Sequence, residues 1–330
     1  MIWILLFIIA ATAVLISGRR LTLDGDHLAE TTGLSRGFIG VILLGLVTSL
    51  PEMASSVSAA LFLKSPDLAI GNIFGSNAAN LAILAVISLF FAGPLQAEHQ
   101  LDEENLLTAY LSLIMLSLAL MGLGARGYWR IFHLDLFSLL IAATYVVGLK
   151  KLHTFQRPRN HPRAGEKAEF KPVPSSLKKS LLINAAIIVV ASTSLATSAE
   201  HIAEITGWGS TFVGNSLLAG ATSLPEFVVT VSAVGIGSFS MAAGNIFGSN
   251  IFNLAILALA DLSFFPGSLL AAGAPSQALI AAIGLLLTSM FLFSARYSSI
   301  EKIAGQRSRF TSLPTLLIYL FSLYALFALR

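Results

Sequence analysis

Two glutamates stand where an apolar chain should carry no charge. Glu52 closes the run Thr48-Ser49-Leu50-Pro51-Glu52 and Glu226 closes the identical run Thr222-Ser223-Leu224-Pro225-Glu226, each inside a stretch apolar enough to cross a bilayer. Further on, Gly71-Asn72-Ile73-Phe74-Gly75-Ser76-Asn77 recurs letter for letter as Gly244-Asn245-Ile246-Phe247-Gly248-Ser249-Asn250. An ionisable side chain at membrane depth is costly and by default marks a pathway or a binding site. Proline donates no N–H and clashes with the preceding turn, so carbonyls over Gly45 to Thr48 and Ala219 to Thr222 are expected to lose their helical partners. Freed carbonyls can bind a cation. Thr48, Ser49, Thr222 and Ser223 add hydroxyl oxygens, and the glutamates add charged ones. Ser76 and Ser249 precede Asn80 and Asn253 by one helical turn and share a face with them. The inventory is hard oxygen only, which suits calcium and sodium and not soft metals. A lone proline kink or a lone Gly/Ser/Asn patch is most often mere packing; two glutamates beside identical kinks point to ion binding.

The elements that must position these groups are membrane helices. Of 330 residues, 55% are hydrophobic and only 11% charged, far from the make-up of a soluble domain. The chain has no cysteine, which excludes disulfides, thiolate metal sites and cysteine nucleophiles. Segments of spanning length lie at 2–17, 37–63, 67–91, 106–123, 130–149, 180–198, 211–234, 240–265, 276–295 and 311–329. The sequence therefore predicts an all-α membrane protein of ten transmembrane helices in two sets of five, 1–149 and 180–330. Residues 150–179, rich in Lys, Arg and Pro, form a basic cytoplasmic linker between them. The first segment is read as a retained helix, because Arg19 and Arg20 follow it and no basic residue precedes it. With the N-terminus outside, 16 Lys and Arg fall on the cytoplasmic side and 4 outside, so both termini are expected outside. The basic surplus is thus an orientation signal and not a nucleic-acid footprint.

Five helices per half is an odd number, so the second half must run through the membrane in the opposite sense. Residues 27–52 match 201–226 at 14 of 26 positions, and residues 71–85 match 244–258 at 13 of 15. Inverted repeats with interrupted helices are the pattern of secondary transporters, with the site at the midplane. His27/His201 and Glu30/Glu204 also repeat; they are read as structural capping groups in polar loops near helix ends. Asp135 and Asp261 are expected at the membrane interface. An intramembrane hydrolase using the glutamates as acid and base would need a nucleophile or a His or Asp pair, and none accompanies them.

On these motifs the chain resembles the prokaryotic type of the sodium/calcium exchanger family, in the calcium/cation antiporter superfamily. The family's hallmarks are a Gly-Thr/Ser-Ser-x-Pro-Glu and a Gly-Asn-x-x-Gly-Ser-Asn motif in each half. The resemblance implies that Glu52 and Glu226 coordinate calcium and that Thr48 and Thr222 contribute to the same central site. It further implies that Ser49, Ser76, Ser223 and Ser249, with the carbonyls of Gly45 and Ala219, form flanking sodium sites. The first and sixth helices would slide as a gating pair over a fixed core. Two positions depart from the pattern: Val47 and Ala221 replace the opening glycine, and Asn253 stands where many relatives carry aspartate, so the middle position Asn80/Asn253 bears no charge. The expected function is Ca²⁺/Na⁺ antiport, not enzymatic, in a prokaryotic plasma (inner) membrane, with a Ca²⁺/H⁺ antiporter of the same architecture as the alternative. Calcium and sodium are then the bound ions and the bilayer the surroundings; no cofactor, nucleic acid or obligate protein partner is called for.

Overall fold

Long apolar runs without internal proline form the helices, and proline or left-handed glycine ends them. The computed structural model describes residues 1–90, 102–154, 172–207, 220–300 and 312–321. Helix α1 spans Ile2–Thr32 and stops at Gly33, whose φ of 70° is the left-handed cap that glycine adopts without strain. Arg36–Thr48 (α2) and Leu50–Leu61 (α3) form a pair bent by 45°. Then come α4 Pro66–Phe90, α5 Glu103–Ala125, the two-residue strands β1 Arg130–Ile131 and β2 Leu134–Asp135, and α6 Leu136–Thr154. The remainder is α7 Ser175–Ile205, α8 Leu224–Gly235, α9 Phe239–Ser263, α10 Leu269–Ala272, α11 Pro275–Ile300 and α12 Ser312–Phe321.

Among the described residues, seven helices are long and apolar enough to cross a membrane, or eight if the bent pair counts as one span. The protein is therefore a multi-pass, all-helical integral membrane protein. Helices α8 and α12, shorter and apolar, adjoin residues 208–219 and 322–330, so the expected spans at 211–234 and 311–329 lie partly outside the described residues, as does most of the linker.

Several boundaries differ from the sequence reading. Helix α1 continues well past residue 17, and α7 runs from 175 rather than 180; each has 31 residues. At 1.5 Å per residue each is about 46 Å long, well beyond a hydrocarbon core of about 30 Å. The polar halves simply stay helical, since neither contains a proline. Conversely, the expected helix at 130–149 starts only at Leu136. Before it, Arg130 pairs with Asp135 and Ile131 with Leu134 in an antiparallel ladder. Asp135 ends that ladder and caps α6, its carboxylate accepting the Phe137 amide at 2.9 Å.

The chain's contacts divide into two compact units, each drawing on both halves of the sequence. In the unit of Met1–Pro51, Asp102–Asn105 and Lys151–Gly248, α1 packs along α7 and α8 through small and branched residues: Ala10, Val14, Ala191, Leu195, Ala199 and Val228. Asp24 of α1 accepts from Ser180 Oγ (2.6 Å) and Asn184 Nδ2 (3.4 Å) of α7, and the Trp3 ring stacks on His201 at 4.0 Å. In the same unit α2 and the first half of α9 meet backbone to backbone. A Cβ on Gly40 would strike the Met241 carbonyl, and one on Gly244 the Gly37 carbonyl. In the unit of Glu52–Leu101, Leu106–Lys150 and Ser249–Arg330, α4 packs against α10 and α11. There Asp67 accepts the Ala274 amide at 2.6 Å.

The backbone crossing gives a direct test. Gly244→Ala sets a methyl against a carbonyl that cannot move aside, and should cost about 1–3 kcal/mol. Gly284→Ala meets only Leu116 at 3.6 Å and should be neutral or stabilising. Thermal unfolding of both variants in detergent reads the difference; a Gly244→Ala midpoint equal to wild type would refute the crossing.

Candidate ion-binding site

Each glutamate sits one turn after a helix break, and the break is the same in both repeats. Ser49 (φ −94°, ψ 4°) and Ser223 (φ −89°, ψ 2°) leave helical geometry for the bridge region, and a new helix starts at the next residue. Pro51 and Pro225 then occupy the opening turn, where a missing N–H costs nothing. Glu52 and Glu226 follow in the first turn, each 1% exposed.

Around Glu226, within the first unit, the structure gathers several expected residues. The Ser49 hydroxyl donates to Glu226 Oε1 at 3.4 Å. Thr48, fully buried, lies with its hydroxyl 3.4 Å from the Gly45 carbonyl and 3.4 Å from Asn245 Oδ1. Glu226 Oε2 has no hydrogen-bond partner. Ser223 is buried and Thr222 half-buried. One expectation fails in detail: Pro51 does not free the Gly45 carbonyl, which accepts the Ser49 amide at 3.3 Å, because the turn at Ser49 closes before the proline is reached. Ala219 lies outside the described residues.

The second unit holds Glu52, Ser76, Asn80, Ser249 and Asn253, all buried. Here α4 and the second half of α9 are joined by amides: Asn77 Nδ2 donates to the Asn250 carbonyl (3.3 Å), Asn250 Nδ2 to the Asn77 carbonyl (3.5 Å), and Asn80 Nδ2 to Asn250 Oδ1 (3.0 Å). Asn77 Oδ1, Asn80 Oδ1 and both polar atoms of Asn253 have no hydrogen-bond partner. Buried amides without partners are rare because each forfeits its hydration. Oxygens of this kind suit a hard cation as cargo. Among the described residues, no group of three or more His, Cys, Asp or Glu is arranged to hold a metal ion.

Sequence reasoning missed four residues that touch the glutamates' backbone or the turn after it. Asn72 donates to the Glu52 carbonyl and to Ser56, and Asn245 donates to the Glu226 carbonyl and to Thr230. The available signal was the hydroxyl residue four positions after each glutamate. The repeated His and Glu residues are not capping groups in loops: they lie in the last turns of α1 and α7. Glu30 and Asp26 pair with Arg36, while His201 pairs with Glu204 at 3.3 Å. Asp135, just before α6, and Asp261, near the end of α9, are both fully buried within the protein. Asp261 accepts the amides of Asp135 (2.8 Å) and Leu269 (2.6 Å), and Ser268 donates to Asp135 at 2.9 Å. Burial pushes the Asp135 carboxyl up from its ordinary value, the Phe137 amide and Ser268 hydroxyl draw it down, and the Asp261 charge adds to the rise.

The sequence profile of the family described as sodium/calcium exchanger protein matches residues 2–149 and 180–328. The chain is 28% identical to the sodium/calcium exchanger MaX1 of Methanosarcina acetivorans over 279 residues, covering 74% of this chain and 77% of that one. It is 26% identical to the inner membrane protein YrbG of Escherichia coli over 268 residues, 80% of each. Its fold matches that of the sodium-calcium exchanger NCX_Mj soaked with 10 mM Na⁺ and zero Ca²⁺, at a TM-score of 0.74 and 20% identity over 98% of both chains.

Asn253 supplies a test of the orphaned amide. Asn253→Leu removes a buried polar group without breaking any bond it makes, so in ion-free buffer it should stabilise the protein by about 1–3 kcal/mol. The variant should also lose whatever rise in unfolding temperature calcium or sodium gives the wild type. A lower ion-free midpoint than wild type would mean that the amide is satisfied after all.

Proposed function

The chain belongs to the sodium/calcium exchanger family, and from that premise we propose that it exchanges Ca²⁺ for Na⁺ across the membrane by alternating access. The observation that carries the reading is Glu226: 1% exposed, held by the hydroxyls of Ser49 and Thr48, with no ion-pair partner among the described residues. A carboxylate removed from water and left unpaired is costly by several kcal/mol, so a mobile cation or a proton must compensate it during the cycle. Glu52 and Glu226 together carry two negative charges, which balance one Ca²⁺. Thr48 and Thr222 complete the calcium site; Ser49, Ser76, Ser223 and Ser249, with the carbonyls of Gly45 and Ala219, hold sodium. The Ser49 hydroxyl, its proton given to the carboxylate, turns its lone pairs elsewhere.

The same reading extends to architecture. Ten helices form two inverted five-helix repeats, both termini lie outside, and the membrane is the prokaryotic inner membrane. The unusually long α1 and α7, already tied together by Asp24 and by the Trp3–His201 stack, slide as the gating pair. A proton-coupled cycle remains the second reading, because a buried unpaired glutamate can be neutralised by H⁺ as well as by Na⁺. The uncharged Asn80 and Asn253 argue against it, since neither amide can carry a proton across.

Proteoliposomes separate the two. Calcium uptake should follow an outward sodium gradient and ignore an imposed pH gradient; the reverse result would replace sodium by protons. Glu226→Gln and Glu52→Gln should each nearly abolish uptake in folded protein, because Ca²⁺ requires charge among its oxygens. Three Na⁺ against one Ca²⁺ moves one net charge, and 100 mV across one charge is worth about 2.3 kcal/mol, close to a fifty-fold bias on the calcium gradient. An inside-positive potassium diffusion potential should therefore drive calcium entry against internal sodium. Uptake indifferent to that potential would exclude the three-for-one scheme.

A further inference from the structure

The second residue of the repeated Gly-Asn-x-x-Gly-Ser-Asn run has no part in the ion site as described so far, yet it does the same thing in both repeats. Asn72 Nδ2 lies 2.8 Å from Ser56 Oγ and 3.4 Å from the Glu52 main-chain carbonyl. Asn245 Nδ2 lies 3.0 Å from Thr230 Oγ1 and 3.3 Å from the Glu226 main-chain carbonyl. Ser56 and Thr230 are the hydroxyl residues one helical turn after each glutamate. One amide thus grips the backbone of the carboxylate residue and the turn that follows it.

Around the Glu226 carbonyl the direction of each hydrogen is determined. The Glu226 carbonyl can only accept. Thr230 Oγ1, 2.6 Å away, therefore donates to it, and the Asn245 NH₂ donates both to that carbonyl and to the Thr230 oxygen. With its nitrogen end so fixed, the amide cannot be flipped, and Oδ1 is the end that lies 3.4 Å from Thr48 Oγ1. Oδ1 has no proton to give, nor does the Gly45 carbonyl at 3.4 Å from the same hydroxyl. The Glu226 carboxylate, with which the Thr48 hydroxyl also hydrogen-bonds, is likewise only an acceptor, so the hydroxyl gives its proton to one of these oxygens. What it offers to anything else is lone pairs, which is what a hard cation needs.

We propose that Asn245 is a positioning residue of the ion site, clamping the Glu226 backbone and offering Oδ1 as an acceptor for the Thr48 proton, and that Asn72 clamps the Glu52 backbone in the same way. The proposal rests on the calcium cargo reading above. It concerns affinity for the ion and not the conformational cycle, so its signature is a change in half-saturating Ca²⁺ with little change in maximal rate.

Calcium uptake into sodium-loaded proteoliposomes tests it, with the full-length chain and variants Asn245→Leu, Thr48→Val and the double variant. Asn245→Leu should raise half-saturating Ca²⁺ about tenfold, equivalent to about 1.4 kcal/mol, with the maximal rate within about threefold of wild type. Because Asn245 acts partly through Thr48, adding Asn245→Leu to Thr48→Val should raise half-saturation by well under tenfold; strictly multiplicative effects would show the two sites independent and overturn the acceptor role. Half-saturation within about twofold of wild type in folded Asn245→Leu would overturn the proposal entirely. If Asn245→Leu does not fold, Thr230→Val decides instead: it preserves shape, removes the hydroxyl that anchors the amide, and should raise half-saturating Ca²⁺ about threefold, an unchanged value again overturning the proposal. Wild-type vesicles without calcium flux would refute the cargo reading, whereas normal wild-type flux with an unaffected Asn245→Leu would refute only the positioning role.

Discussion

A carboxylate held away from water inside an apolar protein is the constraint to which everything else answers. Burying a carboxylate is costly, and the burial of Glu52 and Glu226 is what the proposed cation would answer. The fold meets this demand locally. It breaks a helix at Ser49 and at Ser223 with nearly the same dihedral angles, restarts it one residue later, and sets the glutamate in the opening turn. There the positive end of the new helix favours a negative side chain.

Holding that turn still falls to neighbouring helices with almost no side chain between them and it. Gly40 and Gly244 let α2 and α9 approach backbone to backbone, and from this close seat Asn245 reaches the Glu226 carbonyl and Thr48 together. In an apolar surrounding, van der Waals closeness and amide hydrogen bonds do the work that the hydrophobic effect does in soluble proteins. The reciprocal Asn77–Asn250 clasp joins α4 to α9 by the same means.

The repeat is faithful at the site and unfaithful away from it. The His and Glu residues that recur at the ends of α1 and α7 have taken different partners. Arg36, a permanent cation, gathers Asp26 and Glu30 at one; at the other, His201 is shared between Glu204 and the Trp3 ring. Identical letters therefore fixed the chemistry at the centre of each repeat, while the surroundings settled the chemistry of its edges.

What the sequence determined by itself was what repetition and local rules encode. Two copies of each motif, offset by 174 residues in one and 173 in the other, named Glu52, Glu226, Thr48, Ser49, Asn80 and Asn253 as candidates, and unbroken apolar runs declared membrane helices, because a helix in lipid must satisfy its backbone within its own segment. Helix ends were harder: α1 and α7 extend far past their apolar runs, since hydropathy marks where lipid begins and not where the helix stops. Only the tertiary structure decided matters that depend on residues far apart in the chain. It joined Asp135 to Asp261 and buried both, because each carboxylate finds amide or hydroxyl donors from the other's loop. It returned the Gly45 carbonyl to the Ser49 amide. And it set Asn245 beside Thr48, a meeting that no spacing rule reveals, because the two are 197 positions apart and come together only once the helices have packed.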